Sequence, residues 1–296
     1  MQIAVIADIH GNWPSLVAAM AEIRRLGADR VYCLGDIVNP MPSSRRVFDY
    51  LMSLDMPSIR GNHEDYIINY FEDETHDTRW KPQFGPVRLV ASTFDHASIA
   101  KMKSLPLQIP VSDPRAGDLL LCHASPTSNV RGWRNGIVDP VARDVDETFE
   151  PLIVCGHWHD PRTTYWKDKT LVTAGSVGRA LSGKVVAEFL MLEAGEGAWR
   201  HEHMEVPYDV NEAVDEYVSS GWLRRGGPMA WLLLYELITA ERRVAYFFQW
   251  LKTQPYDITR EKDHAEAARA YLELLGKWDL IEHYLRLGPE SLESHP

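Results

Sequence analysis

The chain has little sulfur and a deficit of positive charge. Its 3 cysteines, Cys33, Cys122 and Cys155, cannot pair completely, and each sits in or at the end of an apolar run. That excludes a disulfide scaffold and predicts small core residues in a reducing compartment. The 31 Lys and Arg stand against 42 Asp and Glu, a formal net charge of −11. No long-range attraction to nucleic acid or to an anionic membrane is expected from such a surface, although a local metal-rich site is still free to bind phosphate. Long uncharged hydrophobic runs are missing too. The most apolar stretch, Met229 to Leu251, is interrupted by Glu236, Glu241, Arg242 and Arg243, leaving too few residues to span a bilayer. No basic, cleavable leader precedes the first apolar run, so a cytoplasmic location is expected.

Hydrophobic residues make up 45% of the 296, enough to fold without cross-links. The length exceeds one ordinary domain and suggests a core plus an appendage. The first part alternates strand and helix patterns: Ile3 to Ala7, Pro14 to Leu26, Val31 to Leu34, Ser43 to Leu54 and Pro57 to Arg60 read as βαβαβ. Residues 64–106 read as helical pieces broken by Pro82, Gly85 and Pro86, and a loop-rich insertion covers Ser125 to Pro151. Further strands are expected at Asp118 to Cys122, Leu152 to Cys155, Thr163 to Trp166, Leu171 to Ala174 and Lys184 to Leu192, the last four pairing as a meander. Beyond a boundary near residue 208 the pattern is helical: Val210 to Ser220, Met229 to Lys252, Arg260 to Gly276 and Lys277 to Leu287. An α/β domain over 1–208 and a helical C-terminal extension over 209–296 are the expected units.

Five motifs lie at strand ends or in the loops that follow them. Asp8-Ile9-His10 can present an oxygen and a nitrogen to one ion if residues i and i+2 project to the same side. Gly35-Asp36 adds a carboxylate whose two oxygens are able to bridge two cations. In Arg60-Gly61-Asn62-His63-Glu64, Gly61 permits a sharp turn and Asn62 offers a neutral oxygen. His123 ends the run Leu119 to Cys122. Gly156-His157-Trp158-His159 places two imidazoles at i and i+2 after a strand, a metal-like spacing. Singly each motif is bland; five at strand ends of an α/β chain point to one site.

With these motifs the sequence resembles the calcineurin-like metallophosphoesterases from residue 2 to about residue 210. The runs Ile6 to Asn12, Leu34 to Pro42, Arg60 to Glu64, Cys122 to Pro126, Cys155 to Pro161 and Gly175 to Gly178 look most like the small prokaryotic phosphodiesterase-like subgroup. The resemblance implies a four-layer α/β/β/α sandwich with mixed sheets and two divalent metal ions. One would be held by Asp8, His10, Asp36 and His159, the other by Asp36, Asn62, His123 and His157, with Asp36 bridging. It also implies in-line attack on a small phosphate ester by a water or hydroxide held between the metals. His63 would protonate the leaving oxygen or bind the phosphate. Two divalent cations outweigh Asp8 and Asp36 by two positive charges, which suits a phosphate ester with a hydroxide. Imidazole and oxygen donors without thiolate suit manganese, iron, zinc, cobalt or nickel.

Asn12 and Arg60 are weaker candidates, for ordering the Asp8 loop or meeting a ligand. Relatives acting on phosphoproteins or dinucleotide polyphosphates carry an arginine in the loop after Gly-Asp; here Ile37 to Pro42 has none before Arg45, which favours a diester, unless Arg45 or Arg46 folds back. A phosphomonoesterase or pyrophosphatase of the same superfamily stays open, as does a metal-binding interaction scaffold without turnover. By strand alternation Trp158 points away from the metals into packing. His201 and His203 read as an exposed strand face, and Gly175-Ser176-Val177-Gly178 as a structural border of the site. The aromatics after residue 208 are expected to be core, with a surplus able to form a homodimer interface or a lid.

Overall fold

The computed structural model describes residues 1–134 and 136–287, so the last part of the expected extension, 288–296, lies outside the described residues. In chain order, β1 (Gln2–Ile6), α1 (Trp13–Leu26), β2 (Arg30–Cys33) and α2 (Ser44–Ser53) open the fold. The expected strand at Pro57 to Arg60 reduces to one bridge, Cys33 with Ser58. A helical insertion follows: α3 (Asn62–Glu72), two single 3-10 turns, α4 (Gly85–Ala91) and α5 (His96–Ser104). β3 (Gln108–Asp113) and β4 (Gly117–Cys122) form a hairpin. β3 was not expected from the pattern because Pro110 interrupts it; the strand lies at a sheet edge, where a missing amide is tolerated. Then come α6 (Val141–Asp146), β5 (Leu152–Cys155), β6 (Arg162–Trp166), β7 (Lys169–Thr173), β8 (Ala187–Ala194) and β9 (Trp199–Val206). The remaining helices are α7 (Val210–Ser219), α8 (Trp222–Arg225), α9 (Pro228–Thr239), α10 (Val244–Leu251), α11 (Glu261–Leu274) and α12 (Trp278–Leu287).

Two mixed sheets result, in the orders β2-β1-β8-β9 and β3-β4-β5-β7-β6. The expected meander does not form. β5 pairs in parallel with β7, β6 folds back on β7, and β8 crosses to the other sheet to lie antiparallel to β1. Strand alternation explains the layers. Ile3 and Val5 face Leu119, Leu121, Val154 and Leu190 between the sheets. Their neighbours Ala4 and Ile6 face outward into helices, and Leu120, Cys122 and Ile153 face outward under Trp133, Val141 and Val145. This is the four-layer α/β/β/α sandwich. Cys33, Cys122 and Cys155 are buried and free.

The expected boundary near residue 208 falls between β9 and α7, yet the helices beyond it do not build a core of their own. Tyr217, Leu232 and Phe247 join Ile6, Leu16 and Phe189 in one apolar cluster. Trp222 is buried and Trp231, Trp250 and Trp278 pack half-buried against the same cluster. The single helix expected over Met229 to Lys252 breaks between α9 and α10: Ala240 turns left-handed at φ 51°, and Glu236, buried in α9, accepts the Arg243 and Val244 amides that open α10 at 2.6 and 2.7 Å. Among the described residues no helix is long and apolar enough to cross a membrane.

Because the tail shares the core, Tyr217→Ala should lower stability by about 3–5 kcal/mol. In urea, tryptophan fluorescence and far-ultraviolet circular dichroism should report one coincident transition. Two separated transitions would show that the helices fold independently.

Candidate metal centre

The ligand candidates gather at the carboxyl ends of β1, β2, β4 and β5, where both sheets present parallel pairs side by side. The reason for convergence differs from a simple i, i+2 strand alternation. β1 ends at Ile6, and Asp8 and His10 both lie in the left-handed region at φ 54°, as do Asp36 at 50°, His157 at 68° and His159 at 60°. Each such residue costs about 1 kcal/mol, so the surroundings must hold it. Loop-to-loop bonds continue the pairing of β1 with β2: Asp8 N to Gly35 O at 3.1 Å, His10 N to Asp36 O at 2.8 Å and Gly11 N to Ile37 O at 3.0 Å. Across the sheets, His157 N donates to Asp8 Oδ2 at 2.8 Å, and within the second sheet Gly156 N donates to His123 O at 2.9 Å, continuing the pairing of β4 with β5.

Two groups form and share Asp36: Asp8, His10, Asp36 and His159, and Asp36, His123 and His157, with donor atoms in each within 4.8 Å of one another. Asn62 joins the second, its Oδ1 lying 3.1 Å from His123 Nε2 and 2.9 Å from His157 Nδ1. Asp36 turns Oδ2 towards His10 Nε2 at 3.8 Å and Oδ1 towards His123 Nε2 at 3.4 Å.

The hydrogen bonds settle which ring nitrogens are free. His10 Nδ1 meets Asn39 O at 2.6 Å, His159 Nδ1 meets Arg179 O at 2.7 Å and His123 Nδ1 meets Leu34 O at 2.7 Å. A carbonyl only accepts, so each Nδ1 carries hydrogen; the neutral rings of His10 and His159 turn an Nε2 lone pair inward, and His123 would do so once its Nε2 proton is displaced. The Nε2 atoms of His10 and His159 stand 3.0 Å apart, with Asp8 Oδ1, buried and without a hydrogen-bond partner, 3.6 Å from His159 Nε2.

Electrostatics agree with a deficit of positive charge. Burial drives His10 and His159 well below the usual imidazole range and His157 down to about 3. Burial pushes Asp8 well above the carboxylate range, with His123 opposing it and Asp36 adding to it. At Asp36 burial pushes the same way but is overcome by His123 and His63, which hold it well below; burial opposes charge on His123 too, yet Asp36 lifts that imidazole to about 10. One ion pair thus leaves several inward acceptors without a positive partner. The donor set fits divalent cations.

Glu64, on the first turn of α3, is a positioning residue that the motif reading passed over. Fully buried, it accepts four backbone amides: Asp36 and Gly61 on Oε2 at 2.9 and 2.8 Å, Ile37 and Val38 on Oε1 at 2.8 and 3.1 Å. One carboxylate therefore ties the Asp36 loop to the Asn62 turn. Its signal was in the sequence, as an acid three residues after the Gly61 helix cap. Gly61 has no substitute, since a Cβ there would stand 2.2 Å from Asp36 Oδ1. Ser176 Oγ and Gly178 N both bond Asp8 O, at 2.7 and 3.0 Å, so residues 175–178 buttress the first ligand loop.

The structure sorts the other candidates. Asn39 Nδ2 donates to His63 Nδ1 at 2.9 Å, which leaves the His63 Nε2 hydrogen free, and the His63 ring lies 4.5 Å from that of His10. Asn12 caps α1 through Ser15 N and bonds Gly178 O at 2.7 Å, touching the buttress rather than Asp8. Arg60 is engaged by Lys103 O and Asp65. Arg45 pairs with Asp49 and Arg46 lies over Trp13, so neither folds back. Trp158 packs with the outer cluster around Trp133. His201 and His203 are not an exposed face: half-buried, they bond Thr163 Oγ1 and Thr173 O at 2.9 Å, because β9 leans on the second sheet. Arg179 reaches the site with no local signal, its guanidinium fixed by Glu236 from α9.

A family model described as calcineurin-like phosphoesterase matches residues 1–161. The chain belongs to the calcineurin-like phosphoesterase family. Uncharacterized protein MJ0912 of Methanocaldococcus jannaschii is 26% identical over 242 residues, covering 74% of this chain and 92% of that protein. The crystal structure of a metallophosphoesterase from Sphaerobacter thermophilus superposes with a TM-score of 0.64 at 19% identity, over 81% of this chain and 100% of that one. Hypothetical protein PH1004 from Pyrococcus horikoshii OT3 gives 0.62 at 18%, over 81% and 99%. These likenesses carry the fold of the phosphoesterase family and nothing finer.

Glu64→Ala strands four buried amides and should cost about 2–4 kcal/mol in urea denaturation, with weakened manganese binding in equilibrium dialysis. Wild-type values for both would remove Glu64 from its positioning role.

Proposed function

We propose that this chain is a two-metal phosphoester hydrolase acting on a small diester. The observation that carries the reading is the pair of inward-facing donor groups joined at Asp36. Asp8, His10, Asp36 and His159 would hold one ion, and Asp36, Asn62, His123 and His157 the other. When bound, two divalent cations lower the pKa of attacking water and neutralise charge on the phosphoryl oxygens.

The chain's own groups do the rest. Asp36 shares one oxygen with each group, which fixes the distance between the two sites. The carbonyls of Leu34, Asn39 and Arg179 fix the rings of His123, His10 and His159 through Nδ1, which leaves each Nε2 to hold an ion. His63, with Nδ1 held by Asn39, is free to donate a hydrogen bond from Nε2 to the departing or phosphoryl oxygen, a contribution of about 10²–10⁴ in rate. A diester carries one negative charge, and the guanidinium of Arg179, which lines the adjoining cleft, is paired with Glu236. That balance favours a diester over a dianionic monoester.

The decisive experiment reconstitutes the protein with manganese or zinc, counts bound metal by mass spectrometry and assays bis(p-nitrophenyl) phosphate beside p-nitrophenyl phosphate. Asp36→Asn should hold fewer than two ions and lose turnover at least about 100-fold, and His63→Ala should keep two ions while kcat falls by about 10²–10⁴. An Asp36→Asn variant that matched wild type would sink the bridging role. Bound metal with no hydrolysis of any ester would leave a binding scaffold.

A further inference from the structure

An apolar cleft of about 220 Å³ opens beside the metal centre, starting at His63 and Asn39. Tyr66 from α3, Phe84 and Val87 from the helical insertion, and Met229, Leu233 and Phe248 from α9 and α10 form its walls. Aromatic rings lead into it from the ligand His10: His10 to His63 at 4.5 Å, His63 to Tyr66 at 5.3 Å and Tyr66 to Phe84 at 5.5 Å between centroids. Among the described residues, Arg179 is the only charged one in the lining. Its Nε and Nη2 bind Glu236 Oε2, and among the described residues Nη1 makes no hydrogen bond. Glu236 meanwhile accepts the first amides of α10 through Oε1, so a single carboxylate fixes both the cation and the helix that carries Phe248.

We infer that this cleft seats an aromatic group of the substrate, with Arg179 at its mouth against the phosphoryl oxygens. The inference rests on the phosphoesterase reading and names the class of ester: one with an aryl or heteroaryl group on an ester oxygen of its phosphorus. Three features select that occupant. His63 lines the cleft and stands beside His10, so a group attached to the reacting phosphorus can enter it. The ring-lined walls of Tyr66, Phe84 and Phe248 favour a flat apolar face through edge-to-face and offset contacts. The volume admits a group of one or two rings, and the one cation matches the phosphoryl end.

Phosphonates test it apart from turnover, because their carbon–phosphorus bond is not an ester. Calorimetry on the metal-reconstituted protein should show phenylphosphonate binding at least about tenfold tighter than methylphosphonate, and tighter than n-hexylphosphonate, which has the same number of carbons. In Phe248→Ala the phenyl-to-methyl ratio should fall to within about threefold, with kcat/KM for phenyl p-nitrophenyl phosphate falling more than that for methyl p-nitrophenyl phosphate. Should Phe248→Ala fail to fold, Phe84→Ala reads the same ratio from the helical insertion. An active enzyme with equal affinities for phenyl- and methylphosphonate, or a preference for the hexyl chain, would overturn the aromatic seat. A protein that hydrolyses no ester yet keeps the tenfold phenyl preference would retain the cleft and remove the phosphoesterase reading instead.

Discussion

Acceptors do not gather in a protein interior unless something forces them to. Here two carboxylates, an amide oxygen and four imidazole nitrogens turn inward at the junction of two sheets, most of them buried. Desolvation and mutual repulsion both oppose that arrangement. The rest of the site is scaffolding against that pressure: left-handed turns aim the ligands, and backbone carbonyls lock three ring tautomers. Glu64 gathers the amides of two loops that would otherwise spring apart, and Ser176 with Gly178 pins the carbonyl of Asp8.

The same constraint gives the C-terminal helices a place in the site. Through Glu236 they supply the partner that holds Arg179, and through Met229, Leu233 and Phe248 they wall the cleft next to His63. They share the core of the first sheet's outer face, so the α/β framework and the tail are packed as one body rather than joined by a tether. The net charge of −11 described the surface of this protein and said little about a centre whose own deficit is of cations.

Much of the centre was legible because its parts are local. A ligand at a strand end announces itself by its neighbours: an apolar run before it, a glycine beside it, a second donor one or two residues away. Asp8, His10, Asp36, Asn62, His157 and His159 carried parts of such a signature, His123 only the apolar run before it, and the structure brings all seven together. Residues that act by reaching another part of the chain did not. Arg179 meets Glu236 across 57 positions, and nothing near either residue in the sequence marks the pair. Strand β3 was hidden by Pro110, which only an edge position tolerates, and the meander gave way because β8 finds its partner in β1, almost two hundred residues earlier.

By itself, then, the sequence determined the α/β class, the opening order β1, α1, β2, α2, the absence of a disulfide framework and the donor-type side chains that stand at strand ends. Those properties follow from short-range periodicity, turn chemistry and residue type. Tertiary structure alone decided which strands adjoin, where the Met229 to Lys252 run breaks, and that Arg179 meets Glu236. It also decided that an apolar cleft stands beside His63. Each of these depends on which surfaces bury one another at long range, and a chain's local pattern does not encode the distance between residues that only packing brings together.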